Sequence, residues 1–165
     1  MNSTKSYKVP KGDDNISKSV IEQQDQLNRL YKESEEIYHA ISLKFGLSDA
    51  AALIMYTLGD SNRSYSQKEF CEIWSLTKTT VNSALNNLLK SGYVTSSPSA
   101  DNRRMKLVSL TEAGKVLAGE YAQPLIEAER KALERLSAVE REQLLRLSKK
   151  HLEMLREEVE KHFTD

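Results

Sequence analysis

The stretch TKTTVNSALNNLLKSGYV, residues 77–94, decides how the rest of the sequence is interpreted. Its apolar residues recur at the spacing of one helix face, and they are Val81, Ala84, Leu85 and Leu88. Thr77 fits the N-cap of this helix, and Gly92 fits the glycine that ends it. The other face is rich in threonine, asparagine and serine, which are poorer helix formers than alanine, glutamate or glutamine. We infer that something other than helix stability selected this polar face.

A second short helix is predicted just before this one. The sequence SQKE at 66–69 has the pattern of a capping box, with Ser66 as the cap and Glu69 reaching back to it. The helix that it opens carries three apolar residues and ends near Ser75. Two short helices joined by a turn of three or four residues predict a helix-turn-helix.

The residues that follow predict a β-hairpin, with strands at 93–97 and 105–110 and the loop PSADNRR between them. The loop places Arg103 and Arg104 at the tip or on the return strand, where an extended arm can enter a minor groove or clamp phosphates. The two helices and the basic hairpin together predict a winged helix-turn-helix with a two-stranded β-wing, which we assign to residues 48–110.

Long helices are predicted on both sides of this region. Residues 16–45 contain no proline or glycine and carry apolar residues at a helical rhythm, and a second helix follows at 48–59. Thr111 caps a helix that runs past Pro124, where we expect a kink or a break. The sequence SAVE at 137–140 forms another capping box and opens the last helix.

The first and last helices each carry an apolar stripe but have little globular body to pack on in so small a chain. We therefore expect a partner subunit to cover them. Residues 16–47 and 111–165 are assigned to a helical dimerisation region, and residues 1–15 to a flexible N-terminal tail. The predicted fold class is mainly α (α+β).

Composition narrows the classes of function. The chain has 24 basic and 24 acidic residues, yet residues 75–110 hold five basic side chains against one acidic, so positive charge is concentrated in this region.

Cys71 is the single cysteine, which excludes an internal disulfide, and its apolar helix favours a structural role over a reactive thiol. Because no signal core and no membrane-spanning apolar run is present, we expect a cytoplasmic protein without a membrane partner. We expect no metal and no cofactor, and no motif in the sequence recommends an enzyme.

The polar face of the helix that follows Thr77 suits contact with double-stranded DNA. Asparagine binds adenine bidentately, serine and threonine reach several base edges, and lysine reaches guanine or phosphate, while no carboxylate is present to be repelled by phosphates. We expect contacts to DNA from Thr77, Lys78, Thr79, Thr80, Asn82, Ser83 and Asn86. Phosphate contacts through backbone amides at a helix N-terminus are expected from Ser66 and Gln67, and contacts from the wing are expected from Arg103, Arg104 and Lys106. The alternative is a winged-helix module whose same face binds another protein.

The run from Tyr65 to Lys115 resembles the winged helix-turn-helix of the MarR (multiple antibiotic resistance regulator) family. The matching motifs are Cys71 and Glu72, then Thr77, Thr79, Thr80 and Val81, Gly92, the NRR of the wing and LTEAG at 110–114. The departures are Ser75 where the turn often has glycine, Asn102 where the wing usually has aspartate, and Ser96 and Ser97 in place of residues that are commonly basic.

The resemblance implies a homodimer whose first and last helices intertwine and whose two recognition helices meet one pseudo-palindromic operator. It also implies a repressor that a small aromatic or phenolic effector releases from DNA by binding between the dimerisation and DNA-binding parts. The candidates for effector contact are Tyr31, Tyr38, His39, Met55, Tyr56 and Trp74. Each has a competing interpretation as a core residue, because tyrosine, methionine and tryptophan at helical spacing usually pack inside.

Overall fold

The computed structural model describes residues 17–61, 63–100 and 104–163. The chain divides into two compact units, one up to Asp49 and one from Ala50 onward. The elements in chain order are α1 Lys18–Lys44, α2 Asp49–Ser61, β1 Tyr65–Ser66, α3 Gln67–Trp74, α4 Lys78–Lys90, β2 Val94–Pro98, β3 Lys106–Leu110, α5 Glu112–Glu120, α6 Ala122–Glu134 and α7 Ala138–Phe163. The predicted fold class, mainly helical with a winged helix-turn-helix, is confirmed.

The sheet has three antiparallel strands in the order β1-β3-β2. The predicted hairpin is present, and β2 pairs with β3 from Val94 opposite Leu110 to Pro98 opposite Lys106. The two-stranded wing is confirmed, and the sheet gains a third strand because β1 pairs with the other edge of β3 and sets Tyr65 opposite Val108. A strand of two residues is too short to show alternating apolar and polar residues in the sequence. It forms only because the free edge of β3, which lies much later in the chain, pairs with it.

Helix α4 has the two faces that its sequence predicts. The four residues of its apolar stripe are all buried, namely Val81, Ala84, Leu85 and Leu88. Thr77 is the N-cap, and its Oγ1 accepts a hydrogen bond of 3.1 Å from the Thr80 amide. Gly92 follows the helix with a φ of +72°, a conformation that L side chains rarely adopt. Local patterning and capping therefore determine this helix.

The break predicted near Pro124 occurs at Tyr121, which is buried and separates α5 from α6. Pro124 consequently lies in the first turn of α6. In that turn a missing N–H removes no helical hydrogen bond, so the proline is compatible with the helix that contains it. In a continuous helix the ring of Pro124 would clash with the carbonyl of residue 120, so a break at Tyr121 is where the proline favours it.

The sequence LTEAG fixes the start of α5 against the end of the helix-turn-helix. The Thr111 hydroxyl donates to the Gly92 carbonyl at 2.6 Å, and the Thr111 amide donates to the Tyr93 carbonyl at 3.0 Å. The Gly114 amide in turn donates to Thr111 Oγ1 at 3.0 Å. A Cβ on Gly114 would lie 1.9 Å from the Tyr93 carbonyl oxygen, so only glycine fits there.

Ser75, where the turn of the resembled family often has glycine, ends α3 in the left-handed conformation, with φ 51° and ψ 35°. We predict that Ser75→Gly raises the free energy of unfolding by about 0.5–1 kcal/mol, because glycine adopts this conformation without the steric cost of a Cβ. Urea unfolding followed by circular dichroism measures the change. Ser91→Gly is the matched control, since Ser91 ends α4 with φ −77° and should lose stability. A loss of stability in both variants would contradict the prediction.

No single helix in the described part of the chain is long and apolar enough to cross a lipid bilayer. Among the described residues, α1 and α2 taken together have the length and composition required, but the helix is interrupted between Lys44 and Asp49.

Candidate nucleic-acid interface

The polar side chains predicted to meet DNA lie exposed on α4 and its cap. They are Thr77, Lys78, Thr79, Thr80, Asn82, Ser83 and Asn86. Helix α4 contains no acidic residue, and Lys78 and Lys90 form no ion pair with any residue that the structure describes. The face is therefore polar, cationic at both ends of the helix and unobstructed by carboxylates of its own.

Two of these hydroxyls already have partners. Thr77 Oγ1 and Thr80 Oγ1 lie 2.8 Å apart, and Thr77 also caps the helix. Thr79 and Ser83, in contrast, are exposed on the side of the helix opposite the buried stripe. The role of Thr77 that the structure shows is to cap the N-terminus of α4. Its contact with DNA stays a prediction.

The capping box at the start of α3 restricts one predicted phosphate contact. Ser66 is buried, and its amide donates to Glu69 Oε2 at 2.7 Å while its Oγ accepts from the Glu69 amide at 3.3 Å. A phosphate contact from the Ser66 amide, as the sequence suggested, would require this box to open. Gln67 is half-buried, and its side-chain amide donates to the Lys78 carbonyl at 3.0 Å. That bond joins the start of α3 to the start of α4.

The wing contributes exposed positive charge beside the helix-turn-helix. Arg104 and Lys106 are both exposed, and Lys106 begins β3 opposite Pro98. Arg103, together with Asp101 and Asn102, lies outside the described residues, so its predicted contact is not located.

A cluster around Arg63 holds the beginning of α3, and sequence analysis predicted only its capping-box residues, Ser66 and Glu69. The Arg63 guanidinium lies 3.6 Å from the centre of the Tyr65 ring, and its Nη1 donates to Glu69 Oε1 at 3.0 Å. The Ser66 amide is the main reason that the pKa of the Glu69 carboxyl lies below its ordinary value, and Arg63 adds to that effect. The ionised carboxylate is therefore part of the native structure.

We predict that the stability advantage of the wild type over Glu69→Gln depends on pH. Because folding lowers the pKa of Glu69, the advantage is present above the unfolded-state pKa of about 4.3 and is lost as pH falls through the lower folded-state pKa. We expect less than about 1 kcal/mol at pH 7, because glutamine also fits this position of a capping box, and convergence of the two proteins once pH falls below the folded-state pKa of Glu69. Urea unfolding at several pH values measures it. A difference that stays constant over this range would contradict the role of the ionised carboxylate.

The proposed effector residues occupy different environments. Met55 is fully buried in the core, which agrees with its competing interpretation as a core residue, and its contact with an effector stays a prediction. Tyr31, Tyr38 and His39 are exposed on α1, and His39 Nδ1 lies 2.9 Å from Asp49 Oδ1. Their contact with an effector stays a prediction.

The other two candidates, Tyr56 and Trp74, connect helices within the second unit. The Tyr56 hydroxyl donates to Glu129 Oε2 at 2.5 Å, and Trp74 Nε1 donates to Thr57 Oγ1 at 2.8 Å. Their rings meet edge to face with centres 6.0 Å apart. These bonds attach α3 to α2 and α2 to α6, and contact of either residue with an effector stays a prediction.

One cavity of about 170 Å³ in the described chain is lined by none of the nominated residues. It lies among the end of α2, the approach to β1, the end of β3 and α5, and its walls are Leu58, Arg63, Ser64, Ser109, Leu110 and Lys115. Sequence periodicity could not reveal it, since its walls come from four separate segments. Within the same described ranges, no three His, Cys, Asp or Glu side chains are grouped to hold a metal ion.

Comparison with known proteins agrees with this geometry. Residues 45–105 match the sequence model of the MarR family. No curated protein sequence is significantly similar to the chain. Among solved structures, the S. aureus MepR–DNA complex is similar with a TM-score of 0.64 at 20% identity, covering 81% of this chain and 97% of that chain.

Two further structures share the fold. NMB1585, a MarR family regulator from Neisseria meningitidis, has a TM-score of 0.62 at 27% identity and covers 85% of this chain and 97% of its own. BpsR of Bordetella bronchiseptica, whose DNA binding is regulated by 6-hydroxynicotinic acid, has a TM-score of 0.60 at 20% identity and covers 78% and 91%.

The three-stranded sheet with its wing, the two short helices and the exposed polar face of α4 define a winged helix-turn-helix protein. Residues 45–105 of this protein match the MarR family model, and its fold is similar to that of NMB1585, a MarR family regulator.

Proposed function

We propose that the protein is a homodimeric, sequence-specific DNA-binding repressor that acts in the cytoplasm. The observation that carries this proposal is the exposed face of α4, which is free of acidic residues and bears lysine near both ends of the helix. Such a face fits the negative, hydrogen-bonding surface of a major groove. The S. aureus MepR–DNA complex, which has the same fold, supports the proposal.

The long terminal helices support a dimer. Helix α7 contains no buried residue along its described length of 26 residues. Its exposed apolar residues include Leu144, Leu147, Leu152, Leu155 and Val159. Helix α1 likewise exposes Val20, Leu27, Leu30, Ile37 and Leu43. Monomeric proteins rarely expose apolar surface on this scale. We therefore infer that a second copy of the chain covers these stripes.

We predict that Leu155→Glu converts the dimer into monomers, because it places a charge in the middle of the apolar stripe of α7. Leu155 is 50% exposed in the single chain, so the substitution leaves the fold of the monomer intact. Sedimentation equilibrium measures the molecular mass. Arg146→Gln, on the opposite side of the same helix, changes the net charge by the same amount and should remain dimeric. A dimer of unchanged stability in Leu155→Glu would remove α7 from the interface.

A dimer of this kind presents two α4 helices to two half-sites, so the operator would be a pseudo-palindrome with half-sites about one helical turn apart. Occupying such a site over a promoter blocks transcription. Regulation by a small aromatic or phenolic effector is part of the proposal, and it is supported by BpsR, whose DNA binding responds to 6-hydroxynicotinic acid. The effector acts by binding better to a conformation with low DNA affinity.

Selection of binding sites from a pool of random DNA duplexes tests the proposed function. The purified protein should enrich one inverted repeat, and a reporter gene placed behind that repeat should be repressed when the protein is expressed. Failure to enrich any sequence, with a folded dimer in hand, would overturn the DNA-binding proposal. It would leave the winged helix as a protein-interaction module instead.

A further inference from the structure

The exposed face of α4 contains one regular row of side chains. Lys78, Asn82, Asn86 and Lys90 follow one another at intervals of four residues, and all four are exposed. Each step of four turns the direction of the side chain by only about 40°, so the four form one gently winding row on the helix surface. Two amides thus lie in the middle of the row and one ammonium group lies at each end.

The amide pair has a specific preference among base edges. The NH2 group of an asparagine side chain can donate a hydrogen bond to adenine N7, and its oxygen can accept one from the adenine N6 amino group. Adenine is therefore the bidentate partner of asparagine in the major groove. Arginine and the carboxylates that accept from cytosine N4 are both missing from α4, and its two lysines, which can also reach guanine, lie at the ends of the row and not beside the amides. The centre of the row therefore has the groups that select A·T pairs at two positions.

The dimensions of the row fit the spacing of the DNA. Residues four apart on a helix are about 6 Å apart along its axis, which is close to two base-pair steps of 3.4 Å. The two lysines are about 18 Å apart by the same arithmetic, so they extend beyond the bases that the amides can reach. At that separation they fit phosphates on either side of the pairs that are read.

We propose that Asn82 and Asn86 are the specificity-determining residues of the site and read two adenines about two base-pair steps apart in each half-site, while Lys78 and Lys90 contact flanking phosphates. This inference rests on the proposed function, because it assumes that α4 enters a major groove. It assigns the sequence preference to one row of side chains rather than to the whole polar face.

Modified bases test this assignment. In the duplex enriched from the random pool, each adenine of a half-site is replaced in turn by 7-deazaadenine, which pairs normally but lacks the N7 acceptor. We expect two such replacements, about two steps apart, to weaken binding of the wild type by roughly 2- to 12-fold, the effect of losing one of the two hydrogen bonds of a bidentate contact. Asn82→Ala should lose sensitivity at one of the two positions and Asn86→Ala at the other.

Asn87→Ala is the matched control, since Asn87 is exposed on the same helix but lies outside the row. It should keep both sensitivities. If wild-type binding is insensitive to 7-deazaadenine at every position, or if Asn87→Ala is the variant that loses sensitivity, the assignment is overturned although the protein still binds DNA specifically. If no duplex is enriched at all, it is the proposed function that fails.

Discussion

Gly114→Ala is expected to lower the free energy of unfolding by about 3 kcal/mol or more and to leave little folded protein at 37 °C. The added Cβ would lie 1.9 Å from the Tyr93 carbonyl oxygen and 2.9 Å from its carbonyl carbon, and both belong to backbone that cannot rotate away. Relief would require α5 to separate from the turn after α4, which breaks the bonds that Thr111 makes to Gly92 and Tyr93. Thermal and urea unfolding measure the loss.

Gly119→Ala is the control for this prediction, because it makes the same change in the same helix. A Cβ at Gly119 meets no atom within 4 Å, so alanine should raise the free energy of unfolding by about 0.5–1 kcal/mol through its better helix propensity. Opposite signs for the two variants would show that contact with the Tyr93 carbonyl, and not glycine itself, is what matters. A tolerated Gly114→Ala would mean that the wing is not held against α5 as described.

Asn86→Asp is expected to weaken binding to the enriched duplex by about 100-fold or more. The substitution keeps the size of the side chain but places a negative charge at the centre of a face that has none, and like charges held together across an interface cost several kcal/mol. Fluorescence anisotropy with a labelled duplex measures the affinity. Unfolding of the free protein should change by less than about 1 kcal/mol, because Asn86 is exposed.

The control for Asn86→Asp is Asn28→Asp, which adds the same charge at an exposed position of α1. It should bind DNA nearly as well as the wild type at moderate salt, since Asn28 is not among the residues proposed to contact DNA and a single exposed charge is screened. An equal loss in both variants would show that net charge alone governs binding. No loss in Asn86→Asp would remove α4 from the DNA.

The parts of this fold that were predictable from sequence are those that short-range chemistry determines. The apolar stripe of α4, its Thr77 cap and the capping boxes at Ser66 and Ser137 each depend on residues within one or two helical turns. The β2–β3 hairpin was predictable for the same reason. Its two strands are adjacent in the chain, and their pairing register runs from Val94 opposite Leu110 outward.

Several features that sequence reasoning missed depend on residues that are distant in the chain. Strand β1 exists because β3 offers it an edge. The motif LTEAG was visible, but its cause, the approach of Gly114 to the Tyr93 carbonyl, required coordinates. Met55 had a pattern that suited either a pocket or the core, and only the packing decided for the core.

The central claim is that α4 reads DNA sequence, and one titration tests it most directly. The protein is unfolded in urea and refolded to release any co-purified small molecule, and its affinity for the enriched duplex and for a scrambled duplex of equal composition is measured from 50 to 200 mM salt. We predict a strong preference for the enriched duplex, with both affinities falling as salt rises because lysine and arginine contacts release counterions. Equal affinity for the two duplexes at every salt concentration, or binding to neither at 50 mM, would contradict the claim.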